Sequence, residues 1–200
     1  MTTIVPPRQE KASRNGMVAG LETQGTRTTF AATAGEVATA KTVAKYSWFA
    51  ARIGMSFIFL WAFVDKLFGF GYATPAAKGW IDGGSPTKGF LSGSEGPFAG
   101  FYKDLAGTTF ANTAFMVALL GIGVALLLGI GMRIAAGAGA LLMTMMYTVV
   151  LPPETNPVID DHLILAVLLI GLAAVGAGST IGLGRWWASL PLVKRLPWLK

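Results

Sequence analysis

The sequence predicts an all-α membrane protein: a four-transmembrane-helix bundle with a long extracytoplasmic loop between helices 1 and 2. Three observations carry that expectation. Hydrophobic residues make up 53% of the 200 positions and charged residues only 13%, against about 25% charged in ordinary soluble domains. Four apolar runs, at about 46–67, 113–132, 134–151 and 162–183, approach the roughly 20 residues that cross a 30 Å hydrocarbon layer as helix. A segment rich in Gly, Ser, Pro, Lys and aromatic residues separates the first run from the second.

Residues 1–44 are rich in Thr, Ala and Gly and mix Arg8, Lys11, Arg14, Arg27 and Lys41 with Glu10, Glu22 and Glu36. Such a stretch cannot bury a core, so it reads as a disordered cytoplasmic tail ahead of a membrane domain at 45–184. A polar segment this long before the first apolar run does not match a cleavable signal peptide. The first helix is therefore expected to act as an uncleaved anchor.

That helix carries Arg52 inside its span and Asp65 and Lys66 at its far end. A charge in or beside lipid costs roughly 2.5 to 3.5 kcal/mol on insertion scales. At 100° per residue Trp48, Arg52, Ser56, Phe59, Phe63 and Lys66 share one stripe, expected to face the bundle interior. The alternative is that Arg52 and Lys66 snorkel to opposite headgroup layers. The outer loop, 68–112, places Phe70, Tyr72, Trp80, Phe90, Phe98, Phe101 and Tyr102 between Gly and Pro breakers, a pattern of short interfacial helices and turns at the bundle mouth.

Residues 113–151 contain one charge, Arg133, and are too long for a single crossing. Gly129, Gly131 and Arg133 mark the turn of a helical hairpin. Gly121, Ala125 and Gly129, then Ala135 and Gly139, recur every four positions and predict close helix packing. Beyond the loop PPETNPVIDD, Asn156, Asp160 and Asp161 precede the fourth crossing and are expected to cap it. Residues 185–200 combine Trp186, Trp187 and Trp198 with Arg185, Lys194, Arg195 and Lys200, as a basic aromatic interfacial segment would.

Loop charge sets orientation. Lys41, Lys45, Arg133, Arg185, Lys194 and Arg195 fall on one side, and Lys66, Lys78 and Lys103 on the other, so both termini are expected in the cytoplasm. Asp65, Lys66, Tyr147, Glu154, Asp160, Asp161 and His162 then gather at the outer mouth. The chain has no Cys and one His, which excludes a Cys-ligated iron–sulfur cluster, c-type haem attachment and bis-His haem; no metal is expected. Its +6 charge is spread over termini and loops, which fits a membrane surface and not a nucleic acid.

The runs ARIGMSFIFLWAFVDKLFGFG, GIGVALLLGIGMRIAAGAGALLM and NPVIDDHLILAVLLIGLAAVGAGSTIGLGRWW resemble the DoxX-like membrane family. The segment GW…GGSPTKGFL…P…FY is similar to the DoxD branch, the membrane subunit of thiosulfate:quinone oxidoreductase. The resemblance spans about residues 46–187. Its matching positions are Arg52, Gly54, Asp65 and Lys66, then Gly129 and Arg133, then Asn156, Asp160, His162, Gly176 and Gly178. It implies a four-helix bundle in the bacterial cytoplasmic membrane and oxidation of thiosulfate to tetrathionate with quinone as electron acceptor, a thiosulfate dehydrogenase (quinone) activity.

On that reading Lys66, Lys78, Lys88 and Lys103 attract the dianionic donor. Trp61, Phe63 and Tyr147 flank the quinone ring with Arg52 as a further binding group, and His162 with Asp161 exchanges its proton beside Asp65. No electron relay is evident in the chain, so a second subunit or soluble redox partner is expected, and a homo-oligomer is open. The competing reading is a non-catalytic membrane scaffold that recruits soluble redox or sulfurtransferase enzymes.

Overall fold

The computed structural model describes residues 34–154 and 156–200. The described chain divides at Ala40: residues 34–40 are the opening turns of the first helix, and Lys41–Lys200 form the unit that holds the core. Among the described residues 73% are helical and none is in a strand. Eight α-helices are described: α1 (Ala34–Phe68), α2 (Lys88–Ser92), α3 (Ala99–Leu105), α4 (Thr109–Leu128), α5 (Met132–Val149), α6 (Asp161–Ala174), α7 (Gly184–Ser189) and α8 (Pro191–Arg195). Of these, α1, α4 and α5 are long and apolar enough to cross a membrane.

The start of α1 departs from the sequence expectation, which places residues up to 44 in a disordered tail. Ala34 to Lys45 are already helical, and they are exposed. Local preference explains this: the segment carries four Ala and two Lys without Pro, and Glu36 lies in the first turn, where the helix dipole favours an acid. The remainder of the expected tail, residues 1–33, lies outside the described residues.

The fourth apolar run also behaves differently. Its hydropathy predicts helix over 162–183, yet α6 ends at Ala174 after 14 residues, about 21 Å of rise against a 30 Å core. Gly176 turns left-handed (φ 66°), and a 3-10 turn follows at Ala177–Ser179. Residues 175–183 form a compact knot in place of the helix's last turns.

The hairpin turn falls where the glycines predict it. Gly129 adopts φ 73°, its N–H and that of Ile130 both donate to Ala125 O, and Gly131 adopts φ 55° before α5 begins. This is the left-handed closure that Gly tolerates at a helix C-terminus. Met55 and Phe59 of α1 join Met116, Leu119, Ile122 and Leu126 of α4, Ala136, Ala140 and Met143 of α5 and Leu169 and Leu172 of α6 in one core. Close approach comes at Gly123, where a Cβ would overlap the Leu60 side chain, and at Gly139 against Leu169. Gly121, expected to pack, is exposed.

Candidate ligand-binding site

Between α1 and α4 the chain forms 3-10 turns at Ala76–Lys78 and Trp80–Asp82 and the short helices α2 and α3. Two buried polar residues pin this segment. Asp65, 1% exposed, accepts from the backbone N–H groups of Tyr72 (3.4 Å) and Ala73 (3.1 Å). Asn112 Oδ1 accepts from Thr87 N (3.2 Å), Thr87 Oγ1 (2.7 Å) and Ser85 Oγ (3.0 Å), while its Nδ2 donates to Gly107 O (3.3 Å). A buried carboxylate and amide with partners on this scale hold loop backbone that apolar contacts alone would leave loose.

Under the pinned segment lies an apolar cavity of about 400 Å³. Its walls come from Thr87 and Phe90, Tyr102 of α3, Phe110, Ala114 and Phe115 of α4, and Leu141, Met145 and Met146 of α5. Ala111, Ala114, Ala118 and Ala138 leave the space that larger side chains would fill. Among the described residues, Lys66 is the one charged group in the wall. Its Nζ sits 5.9 Å from the Phe115 ring centroid, and no described carboxylate lies within salt-bridge distance of it. The Tyr102 hydroxyl is already engaged, with Thr148 Oγ1 at 2.5 Å and Met145 O at 3.3 Å.

A polar vestibule of about 1020 Å³ adjoins the cavity, sharing Phe90 and Val149 in its wall. Glu95, Glu154, Asp160, Asp161 and His162 line it. His162 Nδ1 is 2.6 Å from Asp160 Oδ2, and the other oxygen of Asp160 accepts from Leu163 N at 3.3 Å. One carboxylate thus caps α6 and fixes the imidazole, leaving Nε2 as the ring nitrogen for other partners. The His162 and Phe90 rings lie 6.4 Å apart. Among the described residues, no group of three His, Asp or Glu side chains comes together as metal ligands.

Several expected site residues lie elsewhere. Asp160 caps α6 as expected and is also the partner of His162, a place expected for Asp161, which lines the vestibule. Asp65 organises loop backbone and takes no part in the cavity wall that its neighbour Lys66 forms. Trp61 belongs to an exposed aromatic group with Phe57, Phe70 and Tyr72, Phe63 packs against the core, and the Tyr147 hydroxyl donates to Val158 O at 2.7 Å. Lys78, Lys88 and Lys103 are exposed and line neither space.

Arg52, expected among the quinone-binding residues, does not line the cavity. It lies 14 residues before Lys66 on α1, about 21 Å along the axis, and packs in the glycine knot at the opposite end of the helices. Its side chain is fully buried. Nη2 donates to Ile181 O at 2.5 Å, Nε and Nη1 find no partner among the described residues, and the Phe49 ring lies 5.3 Å from the guanidinium carbon. Ile181 holds φ 44°, a conformation strained for a β-branched residue. The inward-facing stripe is therefore right for Arg52, and its partner among the described residues is the Ile181 carbonyl.

The cavity walls that sequence reasoning leaves unassigned are Phe90, Phe115 and the four alanines. Asn112 escapes it as well; a polar residue opening an otherwise apolar helix is the available signal. No family model, curated protein or solved structure matches the chain.

Proposed function

We propose that the chain is the quinone-binding membrane subunit of a thiosulfate:quinone oxidoreductase of the DoxX/DoxD kind. The single observation that carries the reading is an apolar cavity of about 400 Å³ whose charged wall residue is Lys66, opening beside a polar vestibule that contains the Asp160–His162 pair. Its volume lies within the range of small-molecule sites, roughly 300–1,000 Å³, and a mostly apolar wall with one or two placed polar groups is what orients such ligands. A quinone ring carries carbonyl acceptors and an isoprenoid tail, and its reduction takes up two electrons and two protons. Lys66 supplies a hydrogen-bond donor to a ring oxygen, and the apolar walls exclude water from the ring. His162, held at Nδ1, is the group at the vestibule that passes protons.

Thiosulfate enters the reading through the resemblance. The vestibule is lined by Glu95, Glu154, Asp160 and Asp161, a field that repels a dianion, and Lys78 and Lys103 stand outside both spaces. We therefore assign oxidation of the sulfur donor to a second subunit and quinone binding to this chain. The fourth crossing is completed in this reading by α6 together with the knot at 175–183, in the bacterial cytoplasmic membrane with both termini inside. The test is thiosulfate-dependent quinone reduction by membranes with and without the chain. Loss of reduction on deletion supports the reading. Unchanged reduction, with soluble enzymes co-purifying with the chain and no quinone bound, favours the scaffold.

A further inference from the structure

The end of the helices remote from the vestibule carries a folded C-terminal platform. Arg133 N, in the first turn of α5, donates to Lys200 O at 2.8 Å, Arg133 Nη1 donates to Pro197 O at 2.9 Å, and Trp187 Nε1 donates to Leu199 O at 2.6 Å. Val193 of α8 is 1% exposed. These contacts fix residues 184–200 against the start of a membrane-length helix, so the segment is a built surface and not a trailing end.

Its outward side combines two kinds of group. Trp186 and Trp198 are 57% and 58% exposed, and Leu192 is 61% exposed. Between them stand Arg185, Lys194, Arg195 and Lys200, all exposed, with Arg133 beside them. Neither segment that builds this face, 129–151 or 162–200, contains an Asp or Glu. Five cations therefore share a face whose own two segments supply no acidic side chain to offset them, and they alternate with indole and Leu side chains that prefer the boundary between headgroup and acyl chain.

We propose that this platform binds the anionic headgroups of phospholipids, the cations holding phosphate while Trp186, Trp198 and Leu192 enter the upper acyl layer. Charge complementarity and continuity with α5 favour a lipid surface over a soluble acidic protein, for which exposed Trp and Leu at headgroup depth have no use. The inference is independent of the quinone reading.

The test uses full-length protein purified in mild detergent, supplied with equal amounts of phosphatidylglycerol and phosphatidylcholine, with retained lipid counted by native mass spectrometry. Wild type should retain phosphatidylglycerol preferentially, and the preference should weaken as salt is raised. Each cation near an anionic surface is worth roughly a fivefold change in binding. The triple variant Lys194→Gln, Arg195→Gln, Lys200→Gln should therefore lose about a hundredfold. All three side chains are exposed and none anchors the platform, so helicity and melting should be unchanged. The charge-conserving variant Lys194→Arg, Arg195→Lys should keep the preference. Equal retention of both lipids by wild type, or a preference undiminished in the triple variant, would overturn the proposal, the latter leaving an acidic protein as the partner for these cations.

Discussion

Gly129→Ala tests how the buried guanidinium and the hairpin turn depend on one another. Gly129 sits at φ 73°, and a Cβ built there falls on Arg52 Nη1 and against the backbone of Gly178. An Ala in this left-handed conformation costs about 1–2 kcal/mol on backbone sterics alone. Displacing Arg52 also breaks its bond to Ile181 O, a charge-assisted contact worth about 1.5–3 kcal/mol. The expected loss is about 2.5–5 kcal/mol. Gly131 supplies the control: it has φ 55° with nothing within 4 Å of its Cβ position, so Gly131→Ala should lose only the steric part, about 1–2 kcal/mol. Reversible unfolding of both variants in the same detergent gives the difference. In an Arg52→Met background the cost of Gly129→Ala should fall by the Arg52 share, since the two sites couple directly. Equal losses at the two glycines, or a Gly129→Ala cost unaltered by Arg52→Met, would refute the proposed contact.

Substitutions at Arg52, Asp160 and Asp65 separate the roles of the buried polar groups. Arg52→Met exchanges one charge-assisted hydrogen bond for release of a buried charge; the two oppose, so stability should move by less than about 2 kcal/mol, with quinone content unchanged because Lys66 lies about 21 Å away along α1. Asp160→Asn keeps a good helix cap and removes the charge facing His162, so melting should hold while activity falls, whereas Asp160→Ala should also lose about 1 kcal/mol of stability. Asp65→Asn presents an amide donor to loop N–H groups and should cost about 1–3 kcal/mol, read by unfolding together with faster proteolysis near Tyr72.

The membrane-length helices and their turn are legible because hydropathy and the pair Gly129, Gly131 act locally. Period alone puts Arg52 on the interior stripe. What it cannot supply is the partner, which comes from a carbonyl 129 positions away at a residue whose backbone is strained. The end of α6 escapes the sequence for a related reason: residues 175–183 are apolar enough to continue the helix, and only tertiary packing of Gly178 and Gly184 against Gly129 decides otherwise. At the site, charge and aromaticity draw attention to Trp61, Tyr147, Lys78 and Lys103. The cavity is instead defined by alanines, where side chains are missing, and absence of volume leaves no mark in a sequence. His162 is legible as the lone imidazole, but Asp160 and Asp161 are indistinguishable until the helix start fixes which one turns back.

Whether the space beside Lys66 holds a quinone is the question on which the proposed function stands. Ala118 lines that space at the edge of the core, so Ala118→Phe fills part of it without touching His162 or Arg52. Quinone extracted from purified protein and quantified per chain is the direct measurement, made on wild type, Ala118→Phe and Lys66→Met at matched folding. Near-stoichiometric quinone is expected in wild type, with a drop of about tenfold or more in both variants, since losing one placed hydrogen bond to a charged donor is worth about 1.5–3 kcal/mol. Wild type that carries no quinone, or a filled cavity that carries as much as wild type, would contradict the quinone reading.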